Sequence, residues 1–122
     1  MSEPLVVVAD DDDDILLLVT TRLRRDGFEV ISARNGTEAL ELVRERRPAV
    51  AVLDIGMPGL DGLEVLEQIR ADAELGDVRV LLLTAKAQES DVRRGYAAGA
   101  DAYVRKPFSP ADLSVRVREL AG

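Results

Sequence analysis

Short apolar segments alternate with amphipathic segments along the chain, and this alternation predicts repeated β-α units. Each apolar run is too short for a helix and is rich in Val, Leu or Ala. Most runs are apolar at consecutive positions, which is typical of parallel strands covered by helices on both faces. The predicted strands are Leu5–Ala9, Phe28–Ala33, Ala49–Leu53, Val78–Leu83 and Ala102–Arg105.

Capping signals mark the starts of several helices between these strands. Asn35 and Asp61 each stand three residues before a glutamate, the spacing at which two side chains satisfy free amides of a first turn. Ser109 precedes a proline, the usual order of a cap and a first helical residue. The predicted helices begin within Asp12–Asp14 and end before Gly27, and then span about residues 37–46, 62–71, 90–98 and 110–120.

Five β-α units in 122 residues favour an α/β fold with a doubly wound, five-stranded parallel sheet in the order 2-1-3-4-5. A (βα)8 barrel would need eight units and about 250 residues. We expect one domain over residues 1–122, with no output domain in this chain. In such a sheet ligands bind at the carboxyl ends of the strands, so functional residues are expected there.

Composition excludes several kinds of chemistry. The chain has no cysteine and no histidine, which rules out disulfides, thiolate or imidazole metal sites and Ser-His nucleophile systems. With 23 acidic against 16 basic residues, a net charge of −7 and four aromatic residues, direct nucleic-acid binding is not expected. No signal peptide or membrane span is visible, so we expect a cytoplasmic protein without membrane contact.

Carboxylates follow the first and third predicted strands. Asp10 and Asp11 come directly after the first strand, and Asp54 follows the third. These two strands are neighbours at the switch point of a 2-1-3-4-5 sheet, so the three carboxylates should converge. Oxygen ligands of this kind suit Mg²⁺ or Mn²⁺. Residues 12–14 extend the acidic run and are expected to be solvated at the positive end of the first helix.

A hydroxyl and a lysine follow the last two strands. Thr84 comes after three leucines, and Lys106 follows the fifth strand in a chain with two lysines and 14 arginines. Each alone is an ordinary strand-end residue. Together with the carboxylates they form a set suited to phosphoryl transfer, in which a carboxylate attacks in line and cations neutralise the phosphoryl oxygens.

Across essentially its whole length the sequence resembles the receiver domain of two-component response regulators, which has a flavodoxin-like (βα)5 fold. The matching segments are Val-Val-Ala-Asp-Asp, Leu-Asp-Ile-Gly-Met-Pro-Gly-Leu-Asp-Gly, Leu-Leu-Thr-Ala and Gly-Ala-Asp-Ala-Tyr-Val-Arg-Lys-Pro-Phe. The resemblance implies a bacterial, cytoplasmic signalling switch rather than an enzyme. Its phosphoryl donor would be a sensor histidine kinase or a histidine phosphotransfer protein.

The resemblance also assigns roles to residues of the acidic site. Asp54 matches the phosphoacceptor, and Asp10 and Asp11 match the acidic pair that binds Mg²⁺ together with Asp54. Gly56 matches the position whose backbone carbonyl completes the metal shell. Lys106 matches the phosphate-contacting lysine, and the bond to the following proline matches one that is usually cis in this family.

Two further residues match the family's switch. Thr84 corresponds to the hydroxyl drawn toward the phosphoryl group, and Tyr103 to the aromatic residue that changes rotamer with it. The resemblance implies that this movement alters the surface formed by the fourth helix, fifth strand and fifth helix, for partner binding or homodimerisation.

The first helix departs from similar receivers. Leu17 lies where they often carry a polar residue, and Asp12 and Asp13 extend the aspartate run where they commonly carry Glu or Asp followed by Pro. Leu17 is either a single exposed leucine or, with Ile15 and Leu18, part of a docking patch for a partner's phosphotransfer helix.

Three other functions remain as alternatives. A flavin-binding domain would need a phosphate cradle where the five aspartates stand, and they would repel the cofactor phosphate. An aspartate-nucleophile phosphohydrolase would have a second carboxylate at Gly56 and a larger core. A receiver-like interaction module acting without phosphorylation is the third alternative.

Overall fold

The computed structural model describes residues 3–85 and 89–122, with side chains of residues 89–92 left out of the description. Five strands alternate with five helices, as the sequence predicts. They are β1 Leu5–Ala9, α1 Asp13–Arg25, β2 Glu29–Ala33, α2 Gly36–Arg46, β3 Val50–Asp54, α3 Gly62–Ala71, β4 Arg79–Thr84, α4 Glu89–Ala97, β5 Ala102–Arg105 and α5 Pro110–Ala121, with a 3-10 helix at Ala73–Leu75 before β4. Within the described residues, no helix combines the length and apolar character needed to cross a bilayer.

All strand pairs are parallel, and the strand order is β2-β1-β3-β4-β5. This confirms the predicted doubly wound sheet and its switch point between β1 and β3. In the register of that pair Ala9 lies opposite Leu53, so the residues that follow them emerge side by side at the carboxyl edge.

The sheet is covered by helices on both faces. One core contains Val7, Leu53 and Leu82 with residues of α2 and α3, and the other contains Val8 and Leu81 with residues of α1 and α5. Consecutive residues of β1, β3 and β4 enter opposite cores and are buried on both sides, which explains the unbroken apolar runs in the sequence.

Side-chain caps start the helices where the sequence predicts them. Asp12 Oδ1 accepts from the backbone N–H groups of Asp14 and Ile15, and Asp61 forms a reciprocal capping box with Glu64. The predicted caps of α2 and α5, Asn35 and Ser109, also accept from third-position amides. Each cap satisfies donors that have no partner within the helix.

The predicted strand boundaries differ from the structure by a residue. Phe28 precedes β2 and buries its ring in the core while its N–H bonds to the carbonyl of Leu23. At the carboxyl edge, β3 and β4 each extend one residue further than predicted, to Asp54 and Thr84, because the neighbouring strand continues the ladder.

Candidate functional site

The carboxyl ends of four strands bring the predicted site residues to one edge of the sheet. Asp10 follows β1 and is completely buried, and Asp54 ends β3 with 5% of its surface exposed. Thr84 ends β4 and is equally buried, while Lys106 follows β5. Asp11 is exposed at the mouth of the site. Burying a carboxylate destabilises the folded state unless an opposite charge or hydrogen bonds compensate it, so cations are expected to bind at this edge of the sheet.

Three carboxylates lie close enough to share a metal ion. One oxygen from each of Asp10, Asp11 and Asp54 lies within 4.8 Å of the others. Asp10 Oδ1 accepts from the backbone N–H of Asp12 at 2.9 Å, whereas Oδ2 is buried without a well-aligned hydrogen bond. A set of hard oxygen ligands containing a buried oxygen of this kind fits Mg²⁺ or Mn²⁺.

Lys106 supplies a positive charge from the other side of the cluster. Its Nζ lies 2.9 Å from Asp10 Oδ2 and 3.4 Å from Asp54 Oδ1. Burial disfavours the ammonium, but the contacts with Asp10 and Asp54 outweigh burial and raise the lysine pKa above its ordinary value. Lys106 is therefore a fixed cation, and its backbone N–H, bonded to the Thr84 carbonyl at 2.7 Å, ties it to β4. The Lys106-Pro107 bond is cis, as the resemblance implies.

Asp54 has a raised pKa. Burial is the main cause and the charge of Asp10 adds to it, whereas Lys106 and the Gly56 N–H act in the opposite direction. The result is a pKa of about 6 against an ordinary 3.8. At neutral pH Asp54 is mostly ionised, but it is held in a pocket that favours neutralising its charge.

Backbone packing fixes the loop that carries Gly56. The Gly56 N–H donates to Asp54 Oδ1 at 3.2 Å, and the Ile55 N–H donates to the Leu83 carbonyl at 2.9 Å. At Gly62, the first residue of α3, a Cβ atom would lie 2.6 Å from the Asp54 carbonyl oxygen. Only glycine permits this approach, so α3 packs directly behind Asp54. In the sequence, this close approach is indicated by the glycine directly after the Asp61 cap.

Thr84 and Tyr103 lie on one face of the sheet, toward α4. Thr84 shares the face of Leu82, two residues before it, and Leu82 is the partner of Tyr103 in the β4–β5 register. The Tyr103 ring packs beside Gly95 and lies 6.2 Å from the Tyr96 ring between centroids. The structure thus places the two expected switch residues on adjacent strands beneath α4.

The three residues of the expected patch on α1 divide between core and surface. Ile15 packs against the core shared with α5, whereas Leu17 is 68% and Leu18 47% exposed. Leu17 and Leu18 border a groove of about 510 Å³ between α1 and the start of α5.

An arginine network at the opposite end of the sheet was not predicted from the sequence. Arg70 donates to the carbonyls of Gly99 and Val78 at 2.9 and 2.7 Å and to Asp101 Oδ2 at 2.8 Å. Asp101 Oδ2 also accepts from the Val80 N–H at 2.8 Å. This network fastens the α4–β5 turn to α3 and to the first residues of β4.

The structure is a doubly wound α/β domain with an acidic cluster at the carboxyl edge of its sheet, and comparison with known proteins shows the family to which it belongs. The family model described as the response regulator receiver domain matches residues 6–118. The chain belongs to this family, whose members are the phosphorylation switches of two-component systems.

Curated relatives and solved structures agree with this assignment. The chain is 45% identical over 100 residues to a probable transcriptional regulator, ycf27, of Porphyra purpurea, covering 82% of this chain and 40% of that protein. It is 43% identical over 99 residues to the DNA-binding response regulator MtrA of Mycolicibacterium paratuberculosis, covering 81% and 43%. The chain therefore spans about two fifths of the length of these relatives.

Two solved receivers cover the whole fold. The signal receiver domain of the putative response regulator NarL from Mycobacterium tuberculosis has a TM-score of 0.93 at 32% identity, covering 99% of this chain and 98% of that one. The chemotaxis response regulator CheY4 of Vibrio cholerae has a TM-score of 0.91 at 28% identity, covering 98% and 99%.

Proposed function

We propose that Asp54 accepts a phosphoryl group from a phosphohistidine of a sensor histidine kinase or a histidine phosphotransfer protein. The observation that carries this proposal is the burial of an ionised Asp54 between Asp10 and the ammonium of Lys106. Residues 1–122 contain no histidine, so the phosphohistidine must lie outside this segment.

Asp10, Asp11 and Asp54 would hold Mg²⁺, with the backbone carbonyl of Gly56 as a further ligand. When bound, the ion would supply positive charge to the phosphoryl oxygens in a pocket that otherwise holds three carboxylates. The oxygen-only donor set also admits Mn²⁺.

In the transfer step, a carboxylate oxygen of Asp54 attacks phosphorus in line with the N–P bond of the donor. That bond breaks, its electron pair stays on the imidazole nitrogen, and the proton on the other ring nitrogen makes the leaving group a neutral imidazole. Lys106 Nζ lies 3.4 Å from Asp54 Oδ1, and its ammonium binds a phosphoryl oxygen. Thr84 donates its hydroxyl to a second phosphoryl oxygen.

The phosphorylated state ends when water attacks phosphorus, the P–O bond to Asp54 breaks with its electron pair on the carboxylate, and inorganic phosphate leaves with the protons of the water. The residues that assist its formation also assist its loss, because both reactions pass through a similar arrangement of oxygens around phosphorus. The chain thus acts on its own aspartyl phosphate as a signalling domain and not on an external substrate.

The output is a shift between two existing states of the surface formed by α4, β5 and α5. Movement of the Thr84 hydroxyl toward the phosphoryl group makes room for Tyr103, whose ring already packs beside α4. This surface then binds a partner protein or a second copy of the chain, without direct contact of this domain with nucleic acid or membrane. We expect the chain to act in the cytoplasm.

Intact mass spectrometry tests the phosphoacceptor. Wild type, Asp54→Asn and the exposed-site control Asp13→Asn are incubated with acetyl phosphate and Mg²⁺, with and without chelator. We expect one hydroxylamine-labile phosphoryl group on wild type and Asp13→Asn, and none on Asp54→Asn or in excess chelator. With cysteine and histidine absent, a hydroxylamine-labile phosphate must be on a carboxylate.

If the aspartyl phosphate hydrolyses too quickly for the mass measurement, binding of beryllofluoride, which imitates an aspartyl phosphate, tests the same site. Wild type that neither gains mass nor binds beryllofluoride would contradict the proposal and favour an interaction module that acts without phosphorylation. Equal phosphorylation in excess chelator would contradict the role of the metal alone.

A further inference from the structure

One stripe of α1 is exposed along its whole length. Asp14, Leu18, Thr21 and Arg25 are spaced four, three and four residues apart, so they lie in a row on one side of the helix. All four are exposed, and Leu17 widens the stripe at its apolar centre. Two adjacent exposed leucines, bordered by polar side chains and lining a groove, indicate an interaction surface.

The charges at the two ends of this stripe are opposite. Asp14 stands in the first turn of α1 and Arg25 in the last, about 16 Å apart along the axis. Within the described part of the chain neither side chain has an ion-pair partner, whereas Arg22 on the neighbouring row is bound to Asp26 at 2.8 Å. The stripe is therefore acidic at one end, apolar in the middle and basic at the other end.

We propose that this stripe binds the same stripe of a second copy, with the two α1 helices antiparallel. A two-fold axis at the level of Val19 and Thr20 sets Asp14 opposite Arg25 of the partner copy, and Arg25 opposite its Asp14. The same axis sets Leu18 against Thr21 of the other copy. Both charged residues of the stripe then meet an opposite charge on the partner copy, as an isologous interface requires.

A second copy is the partner favoured by these charges, because the stripe carries both the acidic and the basic end that an antiparallel copy needs. One helix pair buries less than the roughly 1,200 Å² of a standard interface, and the net charge of −7 on each copy opposes association. The dimer should therefore be weak, with a Kd between roughly 10 µM and 1 mM.

The dimer also has a consequence that rests on the proposed function. α1 is the expected docking surface for the helix that carries the donor phosphohistidine. A second copy on that surface would compete with the donor, so transfer to Asp54 would slow as the receiver concentration rises.

A charge exchange tests the dimer without phosphorylation. Asp14→Arg alone places two arginine pairs across the axis, and Arg25→Asp alone places two aspartate pairs there. Mixing the two variants restores both attractive pairs. In sedimentation equilibrium we expect each variant to self-associate at least about 10-fold more weakly than wild type, and the mixture to recover a wild-type Kd.

Wild type that stays monomeric up to about 1 mM overturns the proposal. So does a dimer that survives in both single variants, since it must use another surface. If wild type is monomeric while Leu18→Glu slows transfer from a histidine phosphotransfer protein, the stripe belongs to the donor instead. Concentration-dependent amide shifts of wild type, expected on residues 14–25, give a readout that requires no variant to fold.

Discussion

Lys106 Nζ lies 2.9 Å from the completely buried carboxylate of Asp10, closer than its 3.4 Å approach to Asp54. The lysine expected to contact phosphate thus lies closest to an aspartate of the proposed metal site. In the absence of metal this ion pair is the main compensation for the Asp10 charge. A ligand that brings its own cation can release Lys106 toward the phosphoryl group.

Loss of the lysine should therefore destabilise the fold most when metal is absent. Lys106→Met leaves Asp10 buried without its counter-charge, and we expect the free energy of unfolding to fall by about 3 kcal/mol in chelator. Urea denaturation with and without Mg²⁺ measures this, and Mg²⁺ should recover much of the loss. Lys106→Arg, which keeps the charge, should lose less. Equal stability of Lys106→Met and wild type in chelator would show that the pair does not compensate Asp10.

The raised pKa of Asp54 makes metal-free stability depend on pH. Folded Asp54 holds its proton up to about pH 6, whereas the unfolded chain releases it near 3.8, so the folded state binds more protons between these values. The contribution of Asp54 to the free energy of unfolding should fall by roughly 2 to 3 kcal/mol as pH rises from 4 to 7.

Asp54→Asn removes this titration. In chelator, the free energy of unfolding of Asp54→Asn should be close to that of wild type near pH 4 and roughly 2 to 3 kcal/mol higher at pH 7. Urea denaturation across this pH range measures the difference. Asp13→Asn, at an exposed position, should follow wild type. A constant difference between Asp54→Asn and wild type at every pH would exclude Asp54 as the titrating group.

The order and boundaries of the elements follow from local signals, so the sequence predicts them well. Apolar runs, the Asp61 capping box and the proline at the start of α5 each act within a few residues. The convergence of Asp10, Asp11 and Asp54 follows in turn from the strand order. The different environments of Asp10 and Asp11 cannot be predicted from the sequence. The two aspartates are adjacent and identical in type, and what distinguishes them includes a long-range contact of Asp10 with Lys106, which follows β5.

The two tyrosines give an optical test of the switch. The chain has no tryptophan, and its two tyrosines, Tyr96 on α4 and Tyr103 on β5, have ring centroids 6.2 Å apart. Addition of beryllofluoride and Mg²⁺ should change tyrosine fluorescence in wild type and in Tyr96→Phe, which isolates Tyr103. Thr84→Ala should bind beryllofluoride with little fluorescence change. A full wild-type change in Thr84→Ala would show that Tyr103 moves independently of Thr84.

The Arg70 network should contribute to stability far from the acidic site. Arg70→Met leaves the carbonyls of Val78 and Gly99 and the carboxylate of Asp101 without their shared donor, and we expect a loss of about 2 to 3 kcal/mol. Arg79→Ala removes an exposed contact with Asp101 at 3.5 Å and should change stability by less than about 0.5 kcal/mol. Equal effects of the two variants in thermal unfolding would show that the network is no stronger than a surface ion pair.

The sequence could not identify this network, because it joins residues 29 and 31 positions apart. Arg70 is one of 14 arginines and has no local pattern that distinguishes it. Only the packing of α3 against β4 and the α4–β5 turn brings its three acceptors together.

The close approach of α3 to Asp54 predicts that Gly62→Ala disturbs both stability and the site. The added Cβ would lie 2.6 Å from the Asp54 carbonyl oxygen, so the first turn of α3 or the end of β3 must shift. Overpacking of this kind costs about 1 to 3 kcal/mol, although alanine is the better helix former. Because the shift reaches Asp54, the proposed phosphoacceptor, the rate of phosphorylation by acetyl phosphate should also fall.

Gly76→Ala is the matched control for this substitution. Gly76 follows the 3-10 helix, and a Cβ atom there would make only ordinary contact, 3.6 Å from the Ala73 carbonyl oxygen. We expect this variant to keep the wild-type rate of phosphorylation in the mass assay and to change little in urea denaturation. A Gly62→Ala protein with wild-type stability and rate would mean that α3 can move back without disturbing Asp54, so the helix would not position that carboxylate.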